Sequence, residues 1–136
     1  MDKEIFKIEK DKTRAKDLLK LANERIKEII PIFPKNKQFK IIEEYYEAIV
    51  QLMTAVMYAD GYKTLGHITL IRYISINYRE IPKEEIDVID TLRKIRHGTL
   101  YYGKKAGEEF FLNHKKTVDK TITQLEEIIK NKLEEK

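Results

Sequence analysis

The sequence predicts an all-α protein, a single up-and-down bundle of about five helices. Three observations predict it. Hydrophobic residues make up 42% of the 136, against 5 Gly and 3 Pro, which is enough for one core and too few turn formers for a many-stranded sandwich. Apolar positions recur at steps of three and four, the period of a helix. Pro and Gly fall between the periodic segments, where helices start and stop. The length suits one domain, 1–136, and no linker, low-complexity segment or internal repeat divides it.

The first helix is expected from Ile5, where positions 5, 8, 12, 15, 19, 22, 26 and 29 read Ile, Ile, Lys, Ala, Leu, Ala, Ile and Ile, and only Lys12 leaves the stripe. Pro31 and Pro34 end it, because proline lacks an N–H and restricts the residue before it. Asn36 is the expected N-cap of a second helix over 37–60. That helix carries Ile41, Ile42, Tyr45, Tyr46, Ile49, Leu52, Met53, Val56 and Met57, a wide apolar arc that places it at the centre of the bundle. Gly61 closes it, accepting the left-handed conformation without a Cβ clash. Thr64 is expected to cap the third helix, with His67, Ile71, Ile74 and Tyr78 on its stripe. Pro82, with Glu84 and Glu85 near the positive end of the helix dipole, starts the fourth. Gly103 and Gly107 separate it from the fifth, which carries Phe111, Val118, Ile122, Leu125 and Ile129.

Charge and composition narrow the chemistry. The 27 Lys+Arg and 23 Asp+Glu leave a net +4, a dense mixed-sign surface that favours solubility and supports nucleic-acid affinity only weakly. The absence of Cys excludes disulfides, thiol nucleophiles and thiolate metal sites, and fits a reducing cytoplasm. Met1-Asp2-Lys3-Glu4 leads into no apolar run, so neither a signal peptide nor a membrane span is expected. His67, His97 and His114 lack the i, i+4 partner of a helical zinc site, so no metal and no cofactor is expected. There is no Gly-rich phosphate loop and no nucleophile elbow.

The fourth helix carries two stripes. Positions 88, 92, 95, 99 and 102 read Val, Leu, Ile, Thr and Tyr, a core seam; positions 86, 89, 93, 96 and 100 read Ile, Ile, Arg, Arg and Leu, a line that turns basic halfway. At about 100° per residue, Arg93, Arg96, His97, Leu100, Tyr101 and Lys104 share one broad arc. A helix apolar on two faces has more to bury than a small bundle covers, and a homodimer through the second face would bring two arginine arcs together. Guanidinium groups stay charged and match phosphate oxygens with forked donors, so such a cleft is an anion site. The plainer reading pairs Arg93 and Arg96 with Asp90 or the acidic first turn as a solvated face.

Three stretches together resemble the HEPN domain family: Tyr45-Tyr46-Glu47-Ala48, Gly61-Tyr62-Lys63 with His67, and Leu92-Arg93-Lys94-Ile95-Arg96-His97 running to Tyr101-Tyr102-Gly103. The likeness spans about Asn36 to the C-terminus, in short pieces. It implies an up-and-down helical bundle that dimerises. Active members of the family are metal-independent endoribonucleases with an arginine, a polar residue after it, and a histidine separated from the arginine by four to six intervening residues. There a ribose 2′-hydroxyl attacks the adjacent phosphate, histidine moves protons and arginine stabilises charge on phosphorus.

Carried onto this chain, Arg96 takes the arginine position, His97 the polar one, and Tyr101 falls where the histidine stands. Arg93 with His97 leaves three intervening residues, one fewer than the pattern needs. A phenol titrates near pH ~10, which makes Tyr101 a weak base at neutral pH and places the chain nearer a branch in which tyrosine replaces histidine. Arg93 and Lys104 are then phosphate- or RNA-binding residues. The resemblance also implies a partner, a nucleotidyltransferase antitoxin that attaches nucleotide to a motif tyrosine, here Tyr101 or Tyr102.

Other residues have structural readings. His67, near a helix start, caps or packs; His114 covers Phe110 and Phe111; Glu43, Glu44 and Glu47 form a solvated face; Tyr45, Tyr46, Tyr58 and Tyr78 edge the core. Two functions remain: an RNA-directed protein of the toxin-ribonuclease type using Arg96, His97 and Tyr101, or a non-catalytic module whose arginine arc binds nucleotide phosphate or a partner protein.

Overall fold

Periodic apolar stripes become helices in the expected order, and the chain is an all-α bundle. The structure, a computed structural model, describes residues 4–103 and 107–135. Five α-helices, α1 (Lys12–Glu24), α2 (Gln38–Asp60), α3 (His67–Asn77), α4 (Lys83–Tyr102) and α5 (Glu108–Glu134), are joined by short links. Two two-residue strands, β1 (Phe6–Lys7) and β2 (Tyr62–Lys63), pair antiparallel with Phe6 opposite Lys63 and Lys7 opposite Tyr62.

The N-terminus departs from expectation. Residues 5–11 are not helical, because their backbone is bonded elsewhere: Ile8 N donates to Gly61 O and Asp11 N to Tyr58 O, each at 2.9 Å. Asp11 then caps α1 by accepting from Arg14 N at 2.9 Å. Lys12 is therefore the first residue of the helix rather than a break in its stripe. Gly61 sits at φ +90°, and a Cβ there would lie 3.1 Å from Ile8 O, so glycine is needed both for the turn and for the close approach of this segment. Pro31 cannot donate and disturbs the turns before it, so α1 runs on through a π turn (Arg25–Ile29) and a 3-10 turn (Ile30–Ile32).

Two expected caps are replaced. Asn36 does not cap α2; Lys37 stands at that position without a side-chain bond, held by its N–H to Pro34 O at 2.9 Å. Thr64 does not cap α3 either, since its Oγ1 accepts from Gly66 N at 3.2 Å and Gly66 is the N-cap.

Helix α2 is central and packs against α1, α3, α4 and α5. Ile49, Leu52, Met53 and Val56 are fully buried, each worth about 1.5–3 kcal/mol relative to exposure, and Leu52→Ala costs about 2–5 kcal/mol. The expected stripe of α5, Phe111, Val118, Ile122, Leu125 and Ile129, is buried throughout.

In α4 both apolar lines of the first half, Ile86 and Ile89 on one and Val88 and Leu92 on the other, are buried within one chain. A second subunit is not needed to cover them. The seam also ends early: Ile95 and Thr99 are half-buried and Tyr102 is 70% exposed. A Cβ on the capping Gly103 would meet no atom within 4 Å. Gly107 is the opposite case, as it has φ +96° and a Cβ would strike Ile95 at 2.7 Å.

Candidate functional site

From Arg93 onward α4 changes character: Arg93 and Arg96 are half-buried and His97 is exposed. Positions 93, 96 and 97 are helical neighbours, so they share one side of the rod. That side faces the first turn of α3. Between them lies a cleft of about 440 Å³ lined by Glu4, Gly66, His67, Ile68, Thr69, Arg93, Arg96 and His97. The first turn of α3 brings amide groups that have no partner within the helix.

Each arginine has a carboxylate partner. Arg93 Nε donates to Asp90 Oδ1 at 2.8 Å, and Lys94 Nζ lies 3.5 Å from Asp90 Oδ2. Burial raises the Asp90 carboxyl, but the Arg93 hydrogen bond and the charges of Arg93 and Lys94 outweigh it and hold the group below its usual range. Arg96 Nη2 lies 2.8 Å from Glu47 Oε1 of α2, and its guanidinium stands 5.8 Å from the centre of the Tyr46 ring. The plainer reading of Arg93 with Asp90 is thus present in the structure. The Arg96 pair is incompletely directed: Glu47 Oε1 and Arg96 Nε are both buried without a hydrogen-bond partner. The ion pairs engage Nε of Arg93 and Nη2 of Arg96, and with Arg96 Nε buried it is the terminal nitrogens of Arg93 and Nη1 of Arg96 that remain as candidate donors to the cleft.

Behind the arginines, Tyr46 is fully buried and its hydroxyl lies 2.9 Å from His67 Nδ1. Burial pushes the Tyr46 phenol well above its usual value, against the opposing charges of Arg93 and Arg96. Burial also lowers the His67 pKa, assisted by the charges of Arg96 and Arg93 and opposed by Glu47, so the ring is neutral at pH 7. The N-terminal segment supplies Glu4, whose Oε2 accepts from the buried Thr69 hydroxyl at the mouth of α3. His97 meets Tyr102 edge-on, ring centres 5.7 Å apart.

Of the residues singled out by sequence, Arg93, Arg96 and His97 come together in one cleft, and Tyr102 stands beside His97. The Tyr101 side chain and the whole of Lys104 lie outside the described residues. The sequence reading missed His67, Tyr46, Glu47 and Glu4. His67 neither caps α3 nor only packs; it lines the cleft. Glu44 and Glu47 are not a solvated face, because Glu44 pairs with Arg25 and Glu47 with Arg96. His114 behaves as expected towards Phe110, stacking at 4.1 Å.

Among the described residues no group of three or more His, Asp or Glu side chains is placed to hold a metal ion. Likewise no described helix is long and apolar enough to cross a membrane. What the cleft offers is an array of guanidinium, imidazole and amide donors, the chemistry of an oxyanion receptor. No protein-family model matches the chain, and no curated protein matches it.

Proposed function

We propose that the protein is a HEPN-like module that binds phosphate groups of RNA or of a nucleotide in the cleft between α3 and α4. One observation carries this reading: two guanidinium groups and two imidazoles, from residues up to 30 positions apart in sequence, line a single open cleft at the start of a helix. The resemblance of 92–103 to the HEPN motif region and the helical bundle support it. A single-stranded oligoribonucleotide should bind the purified protein, with an affinity that falls as salt rises. Binding that is absent at low salt, or indifferent to Arg93→Ala with Arg96→Ala, contradicts the reading.

A second reading, a metal-independent endoribonuclease of the toxin type using Arg96, His97 and Tyr101, is favoured by Arg96 and His97 lining the same cleft. It predicts cleavage of a mixed RNA pool in EDTA, lost in Arg96→Ala. Binding without turnover leaves the module reading alone. The homodimer belongs to both readings. Its support is the exposed apolar pair beside the cleft, Leu65 at 90% and Ile68 at 54%, which a second copy would cover while pairing the arginines. Sedimentation of wild type against Leu65→Glu tests it. A nucleotidyltransferase partner is consistent with Tyr102, a motif tyrosine that is 70% exposed. Intact-mass analysis after incubation with such an enzyme and ATP tests that step.

A further inference from the structure

Tyr46 and His67 hold a proton in a defined place. The Tyr46 ring is buried, and its hydroxyl has one polar partner among the described residues, His67 Nδ1 at 2.9 Å. A buried O–H requires an acceptor. The neighbouring Arg93 and Arg96 carry donors only, and Glu47 Oε1 receives no hydrogen bond. The phenol hydrogen therefore goes to Nδ1, which must be the bare nitrogen of the imidazole. The neutral ring then carries its own hydrogen on Nε2, the opposite edge, which is left for the cleft that His67 lines.

We infer that His67 is an anion-contacting residue of the cleft, donating from Nε2 to a phosphate oxygen while staying neutral, with Tyr46 as the residue that fixes this tautomer. The inference rests on the phosphate-binding reading above and adds a third kind of donor to it. A neutral N–H suits this place. Arg93 and Arg96 already supply charge, and an imidazolium beside them would be repelled, whereas a neutral donor adds direction without repulsion. Glu47, Glu4 and His97 are the other titratable groups around the ring, and Asp90 acts through Arg93.

Nitrogen NMR of the imidazoles tests the tautomer in the free protein. At pH 7 to 8 the expected result is a proton on His67 Nε2 and none on Nδ1; the reverse overturns the inference. Tyr46→Phe should release the preference, and both tautomers should then be populated. An unchanged His67 spectrum in that variant removes Tyr46 from the role.

Binding of a single-stranded oligoribonucleotide, whose diester phosphates do not titrate near neutrality, tests the contact. His67→Asn keeps a group facing Tyr46 but has nothing at the Nε2 position, and should bind about tenfold more weakly, the loss of one hydrogen bond to a charged acceptor. His67→Gln places an N–H near Nε2 and should stay within about threefold of wild type. Rescue by Asn instead of Gln, or no loss with Asn while wild type binds, overturns the contact and leaves the phosphate reading standing. Absence of wild-type binding removes both. Thermal melts of the variants separate folding defects from loss of contact.

Discussion

Asp60 and Glu47 lie on the same face-rich helix, and each anchors a polar cluster, yet the clusters differ in how completely they are satisfied. Asp60 Oδ2 accepts from Tyr73 at 2.6 Å and from Tyr78, while Oδ1 pairs with Lys132 Nζ at 2.6 Å, so one carboxylate ties α2 to α3, to the turn after it and to α5. Both of its oxygens are used. At Glu47 the Arg96 pair leaves a buried oxygen and a buried nitrogen without directed partners, beside an open cleft. A saturated network has nothing left for a ligand and acts as a strut; an unsaturated one retains donors at the cost of stability. The contrast separates a saturated polar cluster from an unsaturated one without appeal to residue type.

The largest way to break the contrast is at the strut. Asp60→Ala strands Tyr73, Tyr78 and Lys132 together, and should lower stability by about 3–5 kcal/mol in urea unfolding while leaving oligoribonucleotide binding intact below the transition. A loss under about 1 kcal/mol would mean the cluster is not a strut. Arg96→Ala should behave inversely. Binding should weaken about tenfold or more, with a stability loss of about 1–3 kcal/mol, smaller than at Asp60 because the Arg96–Glu47 pair is a quarter exposed on both sides although Glu47 Oε1 itself is buried. Equal effects on both measurements would erase the distinction.

The clusters also differ in their response to pH. His67 has a folded pKa below its unfolded value of 6.5, so the unfolded chain takes up the proton first and stability falls as pH drops below about 6.5. Asp90, also lowered, adds a loss further down as pH falls below 3.8. Tyr73 and Tyr78 are raised by burial and by their hydrogen bonds to Asp60, so the unfolded chain ionises first and stability falls as pH rises above 10.0. Tyr46 adds to the alkaline loss. Urea midpoints across pH should show the mild-acid loss flattened in His67→Gln and the alkaline loss reduced in Tyr73→Phe; a His67→Gln profile identical to wild type between pH 5 and 7 would contradict the first part. The smallest expected effect is at Glu4, a carboxylate at the mouth of the cleft. Glu4→Gln should tighten oligoribonucleotide binding by about two- to threefold at low salt, with the gain shrinking as salt rises.

Much of the bundle was legible because burial follows helical period: the stripes of α2 and α5 and the Pro82 start of α4 are where the pattern puts them. Residues 5–11 were not. Ile5 and Ile8 fit a helical stripe by spacing, but hydrogen bonds from Ile8 to Gly61 and from Asp11 to Tyr58, 53 and 47 positions away, decide the conformation of this segment. Spacing alone does not register such partners. The site divides in the same way. Arg93, Arg96 and His97 are close in sequence, so one helix face finds them. Tyr46, Glu47 and His67 join them only through the packing of α2, α3 and α4. A signal was present in Glu47, a carboxylate on a helix apolar over most of its circumference, where burial against another element demands a cation.

Backbone amide NMR, recorded while a single-stranded oligoribonucleotide is added to the wild-type protein, tests most directly the proposal that the cleft binds phosphate. Shifts concentrated at residues 66–69 and 93–97, and lost in Arg96→Ala, are the predicted result. Shifts centred on another surface, or none at low salt, would contradict it.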